Sequence, residues 1–102
     1  MLVAIDSPIK KRLKEARLRA GLTQEKLGIL AGIDENNASA KMNQYERGTH
    51  IPKYPRLKEL ANALSLPSAY FYAETDELAE LIYLFSRLKT KDKQKLLQQA
   101  DI

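Results

Sequence analysis

The sequence predicts an all-α fold: five helices forming one domain, followed by two additional C-terminal helices. Apolar residues recur every three or four positions, and no stretch alternates convincingly as a strand would. Glycine or proline punctuates most boundaries between these periodic stretches. At 102 residues, 44% hydrophobic and 29% charged, the chain has the composition of one small globular domain, with neither repeats nor a low-complexity linker.

The elements follow in order. Ser7 reads as an N-cap with Pro8 at the first helical position; Ile9, Leu13, Ala16 and Ala20 then keep helical spacing, and Gly21 ends the helix as a left-handed cap. Thr23 caps a second helix, with Gln24 and Glu25 in its first turn and Leu27, Leu30 and Ala31 facing inward; Gly32 closes it. A third helix spans about 38–47, with Ala38, Met42 and Tyr45 toward the core and Gly48 as its cap. Pro52 and Pro55 bracket a fourth helix carrying Leu57, Leu60, Ala61 and Leu64. Pro67 opens a short fifth turn with Tyr70, Phe71 and Tyr72. Thr75 or Asp76 caps a sixth helix, and Thr90 a weaker seventh through Leu96 and Leu97. Residues 1–73 form the first domain and 74–102 a helical appendage.

Composition excludes several functions. There is no cysteine and His50 is the single histidine, so thiolate or histidine-rich metal sites and cysteine nucleophiles are absent, and a reducing compartment is expected. No metal and no cofactor is called for. Nor is an enzyme expected: the chain lacks a phosphate-cradling glycine loop and a nucleophile elbow, and has room for one core but no deep cleft. No apolar run approaches the roughly 18 residues of a membrane span, and Lys10–Arg12 interrupt the start too early for a secretory signal. The expected location is cytoplasmic, with no attached effector domain.

Charge is uneven. Residues 1–73 carry 12 Lys or Arg against 7 Asp or Glu, whereas 74–102 carry 5 against 6. This asymmetry, at a pI of 9.4, points to a polyanionic partner for the first domain, with a merely solvated basic face as the other reading.

The most informative stretch runs Gly21-Leu22-Thr23-Gln24-Glu25-Lys26-Leu27, Leu30-Ala31-Gly32-Ile33, then Gln44-Tyr45-Glu46-Arg47-Gly48. It resembles the phage-repressor and Cro-type helix-turn-helix proteins (the XRE, lambda-repressor-like family), and Pro52 with Leu60-Ala61-Asn62-Ala63-Leu64 matches that family's fourth helix. The resemblance covers roughly residues 8–73. Gly28 and Ala31 supply clearance where two helices cross, against the alternative that Gly28 is merely tolerated at about 1 kcal/mol.

The third helix displays Ser39, Ala40, Lys41, Asn43, Gln44 and Arg47 opposite its core face. Asn and Gln pair with adenine and Lys or Arg with guanine in the major groove. The resemblance therefore implies base contact by Ser39, Ala40, Asn43 and Gln44, with Lys41 reaching either a base or a phosphate. Gln24, in a helix first turn that favours anions, matches the family's backbone-contacting glutamine. Thr23, Arg47, His50 and Lys53 are further phosphate candidates. Arg17 has a rival structural role, because Glu46 is placed to pair with it.

One departure stands out. Thirteen residues separate Ala31-Gly32 from Glu46-Arg47-Gly48, more than is usual in that family, and the excess falls on Asp34-Glu35-Asn36-Asn37, read as a longer turn. In the sixth helix Leu78, Leu81, Ile82, Phe85 and Leu88 form an apolar stripe with two possible destinations: the chain's own core near Tyr70–Tyr72, or a second copy across a two-fold axis, which is favoured.

The expected function is a sequence-specific, double-stranded-DNA-binding transcriptional regulator, a repressor acting as a homodimer on a palindromic operator. The alternative is an antitoxin-type or other interaction module whose C-terminal helices bind a partner protein. Docking of the basic first helix on a membrane is less consistent with its apolar stripe.

Overall fold

The structure, a computed structural model, describes residues 7–101. Residues 1–6, which the sequence assigns to the first domain, lie outside the described residues, as does Ile102. The described residues form six α-helices, one 3₁₀ helix and no strand: α1 (Ile9–Arg19), α2 (Gln24–Leu30), α3 (Glu35–Arg47), α4 (Tyr54–Ala63), the 3₁₀ helix (Ser68–Tyr72), α5 (Asp76–Arg87) and α6 (Thr90–Ala100). The fifth expected helix is therefore the 3₁₀ helix, and the sixth and seventh are α5 and α6.

Local chemistry accounts for most boundaries. Pro8, not Ser7, is the N-cap of α1, since its carbonyl accepts the first helical bond from Arg12 N–H; the Ser7 hydroxyl still accepts from Ile9 N–H at 3.2 Å. Thr23 and Thr75 cap α2 and α5 by accepting from Lys26 and Leu78 N–H. Lys89 rather than Thr90 precedes α6, with no side-chain cap. At Gly32, φ is +91°, and its N–H and that of Ile33 close the turn onto Ile29 and Gly28 carbonyls. A side chain would be strained in this left-handed geometry.

The largest correction concerns α3. It begins at Glu35, three residues before the expected Ala38, so Asp34–Asn37 are no longer turn: Asp34 is the N-cap and its carboxylate accepts from Asn36 N–H at 3.2 Å. An acidic pair at a helix N-terminus satisfies orphan N–H groups and complements the helix dipole.

The core gathers Ile9, Leu13 and Ala16 of α1, Leu27 and Ala31 of α2, Ala38, Met42 and Tyr45 of α3, Leu57, Leu60 and Ala61 of α4, and Tyr70 and Phe71 of the 3₁₀ helix. Leu30, expected inward, is exposed, because it lies off the Leu27–Ala31 line that meets the core; Ala20, at helical spacing with Ala16, is exposed at the C-cap of α1. Tyr72 is exposed too. The α5 stripe divides. Ala79 is buried, Ile82 and Tyr83 pack on the core, Phe85 and Leu88 are half-buried, and Leu78, Leu81 and Leu84 stay exposed. Tyr83 decides this rotation, with its ring 6.5 Å from that of Tyr70 and the Arg19 and Arg87 guanidinium groups 3.9 and 4.7 Å from its centre. No residue of α6 is buried.

α2 and α3 make the most extensive contact of any pair, at Gly28. A Cβ there would lie 2.9 Å from Ala38 Cβ and 3.1 Å from Met42 Cγ, so the glycine is required for the close approach. Gly28→Ala is expected to lower stability by about 1–2 kcal/mol, overpacking outweighing roughly 1 kcal/mol of improved helix propensity. The check is the urea midpoint; an unchanged value would mean that the contact relaxes freely.

Candidate nucleic-acid interface

One carboxylate joins three helices beneath the outward face of α3. Arg17 Nε and Nη2 donate to Glu46 Oε2 and Oε1 at 2.6 and 2.9 Å, and Arg17 Nη1 donates to the Leu22 carbonyl at 2.9 Å. Gln24 Nε2 donates to Glu46 Oε1 at 3.2 Å. The bidentate hydrogen bonds that Arg17 donates to the Glu46 carboxylate hold its guanidinium charged even above its ordinary range. This arrangement fixes α1, the start of α2 and the end of α3 relative to one another. The sequence left the role of Arg17 open; it is the structural one.

Because Ala38, Met42 and Tyr45 are buried, the opposite side of α3 is turned away from the core. Asn36, Ala40, Asn43 and Arg47 fall at i, i+4, i+7 and i+11 on that side, and all four are exposed. The loop after α3 is drawn in at its root: Thr49 N–H, Thr49 Oγ1 and His50 N–H all donate to the Gln44 carbonyl, at 3.1–3.3 Å. An exposed polar helix, braced from behind by a buried ion pair and a two-helix crossing, is suited to enter a groove and present amide side chains to base edges.

A helix-turn-helix domain family matches residues 11–70, more than half of the chain. The chain belongs to this helix-turn-helix family. It is 30% identical over 70 residues to an uncharacterized HTH-type transcriptional regulator of Sinorhizobium medicae, covering 69% of this chain and 48% of that protein. A counterpart in Rhizobium meliloti matches to the same extent. The chain thus spans about half the length of these curated relatives. It is also similar to the crystal structure of transcriptional regulator BswR, with 48% identity and a TM-score of 0.86, over 90% of this chain and 91% of that one.

In the helix-turn-helix of this chain, the structure brings some of the sequence-derived candidates to one side of α3 and disperses the others. Ala40 and Asn43 share the outward face, Ser39 is exposed beside it, and Gln44 is half-buried at its α4 flank. Lys41 is half-buried, its ammonium 5.9 Å from the centre of the Tyr45 ring. Arg47, His50 and Lys53 are exposed at and beyond the end of α3. The Thr23 hydroxyl is engaged as a cap and the Gln24 amide nitrogen is turned toward Glu46. Of the apolar stripe far along the chain, Leu78 and Leu81 of α5 are exposed, Phe85 and Leu88 (the C-cap of α5) are half-buried, and Ile82 packs on the chain's own core.

Asn36 and Asn37 were missed as members of this surface because they were read as turn. Asp34 followed by Glu35 was the available signal, a favoured N-cap and first-turn pair. Among the described residues no helix is long and apolar enough to cross a membrane, and no group of three or more His, Cys, Asp or Glu is arranged to hold a metal ion.

Proposed function

We propose that this chain is a sequence-specific regulator of transcription that inserts α3 into the major groove of double-stranded DNA and represses by occluding a promoter. The observation that carries this reading is the exposed Asn36–Ala40–Asn43–Arg47 face on a helix held rigidly by the Arg17–Glu46–Gln24 cluster. Asn36, Ser39, Ala40, Asn43 and Gln44 read bases; Thr23, Gln24, Arg47, His50 and Lys53 contact backbone phosphates. The lambda-repressor-like domain is residues 1–73, with 74–102 as appendage, acting in the cytoplasm without cofactor or catalysis.

The regulator works as a homodimer on a palindromic operator. Supporting this is the part of the α5 stripe that the core leaves uncovered, Leu78 and Leu81, the latter 53% exposed, with Phe85 and Leu88 half-buried beyond it. An apolar groove between α5, α6 and Pro67, lined also by Leu96 and Leu97, favours a second reading in which a partner protein docks there.

Selection of bound duplexes from a random pool tests the proposal. An inverted repeat with half-sites about one helical turn apart is the expected outcome; salt-sensitive binding with no enriched sequence would overturn specific readout. On the selected operator, Asn43→Ala and Gln44→Ala are each expected to cost about 1–3 kcal/mol at particular base positions, measured by titrating operator variants. Gln24→Ala is expected to weaken operator and random duplex alike.

A further inference from the structure

Two hollows lie on the α4 side of α3, and Arg56 lines both. The first is bounded by Lys41, Tyr45, His50, Pro52, Lys53 and Arg56, and encloses about 430 Å³. No carboxylate lines it. Arg56 Nε lies 3.9 Å from Glu59 Oε1, beyond hydrogen-bonding range. Arg56 Nη1 is buried without a hydrogen-bond partner among the described residues. A guanidinium donor withdrawn from water and left unpaired is costly, and its planar fork matches the oxygens of a phosphate.

Lys41 and Lys53 bring two more cationic side chains to the same hollow, with His50 beside them. Among the described residues none of the three forms an ion pair. The second hollow differs, because Asp34 lines it with Asn37, Ala40 and Gln44. The Asp34 carboxylate would repel an anion there, so the first hollow is the better seat.

From this geometry we infer a phosphate seat, anchored by Arg56 and completed by Lys41, His50 and Lys53, that takes a backbone phosphate of bound DNA. The inference rests on the DNA-binding reading above and adds Arg56 to it; of the base and phosphate roles open to Lys41, it takes backbone contact. Lys41 and Glu46 are five positions apart on α3 and so point about 140° apart. The Arg56 seat and the Gln24 end of α2 therefore flank α3 on different sides. A helix lying in a groove has a phosphate backbone along each side, and two such flanking seats would fix its depth and tilt.

The test uses the full chain and two labelled duplexes of about 20 base pairs, the selected operator and a random sequence, titrated by fluorescence anisotropy at several salt concentrations. Arg56→Gln is expected to weaken binding about tenfold on both duplexes and to lower the log–log salt slope by about 1. Lys41→Gln is expected to act in the same direction on both, and serves as the second probe if circular dichroism shows Arg56→Gln to be misfolded. A folded Arg56→Gln variant with unchanged salt slope overturns the seat while leaving the DNA reading intact. A Lys41→Gln loss confined to one operator base returns Lys41 to base reading and overturns its place here. Absence of salt-sensitive binding by the unsubstituted chain to either duplex overturns the DNA reading itself, and the seat with it.

Discussion

Glu46→Ala is expected to destabilise the protein by about 3–5 kcal/mol, because it strands the Arg17 guanidinium in the interior without its counter-charge. The two side chains are only 11% and 4% exposed, so water cannot replace the lost partner. Domains of this kind are typically stable by about 5–15 kcal/mol, which brings the variant close to unfolding at ordinary temperature. Glu46→Gln keeps an acceptor and should lose less. Replacing both partners, Arg17→Met with Glu46→Leu, should recover much of the stability, since no charge is then left buried. Urea unfolding of the four proteins measures this. A Glu46→Ala variant within about 1 kcal/mol of the parent would show that the pair is dispensable. The consequence reaches function, because Glu46 also holds Gln24 at the start of α2.

Arg12→Ala is expected to cost about 2–4 kcal/mol. Arg12 is 2% exposed and ties α1 to the approach of α5: Nε donates to the Ala73 carbonyl at 3.0 Å, and Nη1 to Glu15 Oε2 and Asp76 Oδ1 at 3.0 and 2.9 Å. Alanine leaves the carbonyl of a buried residue without its donor and a void where the arginine stem packed. Arg12→Met refills the void but not the hydrogen bond, so its loss should be smaller and still measurable by urea unfolding.

The same site has a pH signature. Hydrogen bonds from Lys11 first, and Arg12 second, hold the Asp76 carboxyl below its usual range. A depressed folded value means that the stabilisation is present above the ordinary carboxylate pKa of about 3.9 and is lost as pH falls through the folded value. In Arg12→Met the Asp76 titration, followed by carboxyl-carbon NMR, should move up toward the ordinary range. An unmoved titration would mean that Lys11 alone sets it.

Helix ends were readable because their chemistry is local. Thr23, Thr75 and the left-handed Gly32 and Gly48 announce themselves within four residues. The start of α3 was misread for the opposite reason: Asn36 and Asn37 are weak helix formers that also suit turns. The Asp34 cap and the burial of Ala38 against Gly28 override that preference. Of the candidate interface, Asn43 and Arg47 were legible from the period of α3, whereas Arg56 was not, since its unpaired nitrogen exists only once α4 has packed beside α3.

The sequence by itself determined the all-helical class, the order of the elements and the helix-turn-helix at its centre, because periodicity, caps and glycine spacing act over a few residues. Only the tertiary structure decided which flank of α5 the core takes, through the Tyr70–Tyr83 contact. It also decided which charges meet: Arg12 finds Asp76 across 64 positions, and of the two roles the sequence left to Arg17 the one realised is the pair with Glu46, 29 positions away. Every exposed Lys, Arg, Asp and Glu is a plausible partner in a linear chain. Burial of one partner or both selects among them, since a charge withdrawn from water, as Arg12 and the Arg17–Glu46 pair are, must be paired to be stable.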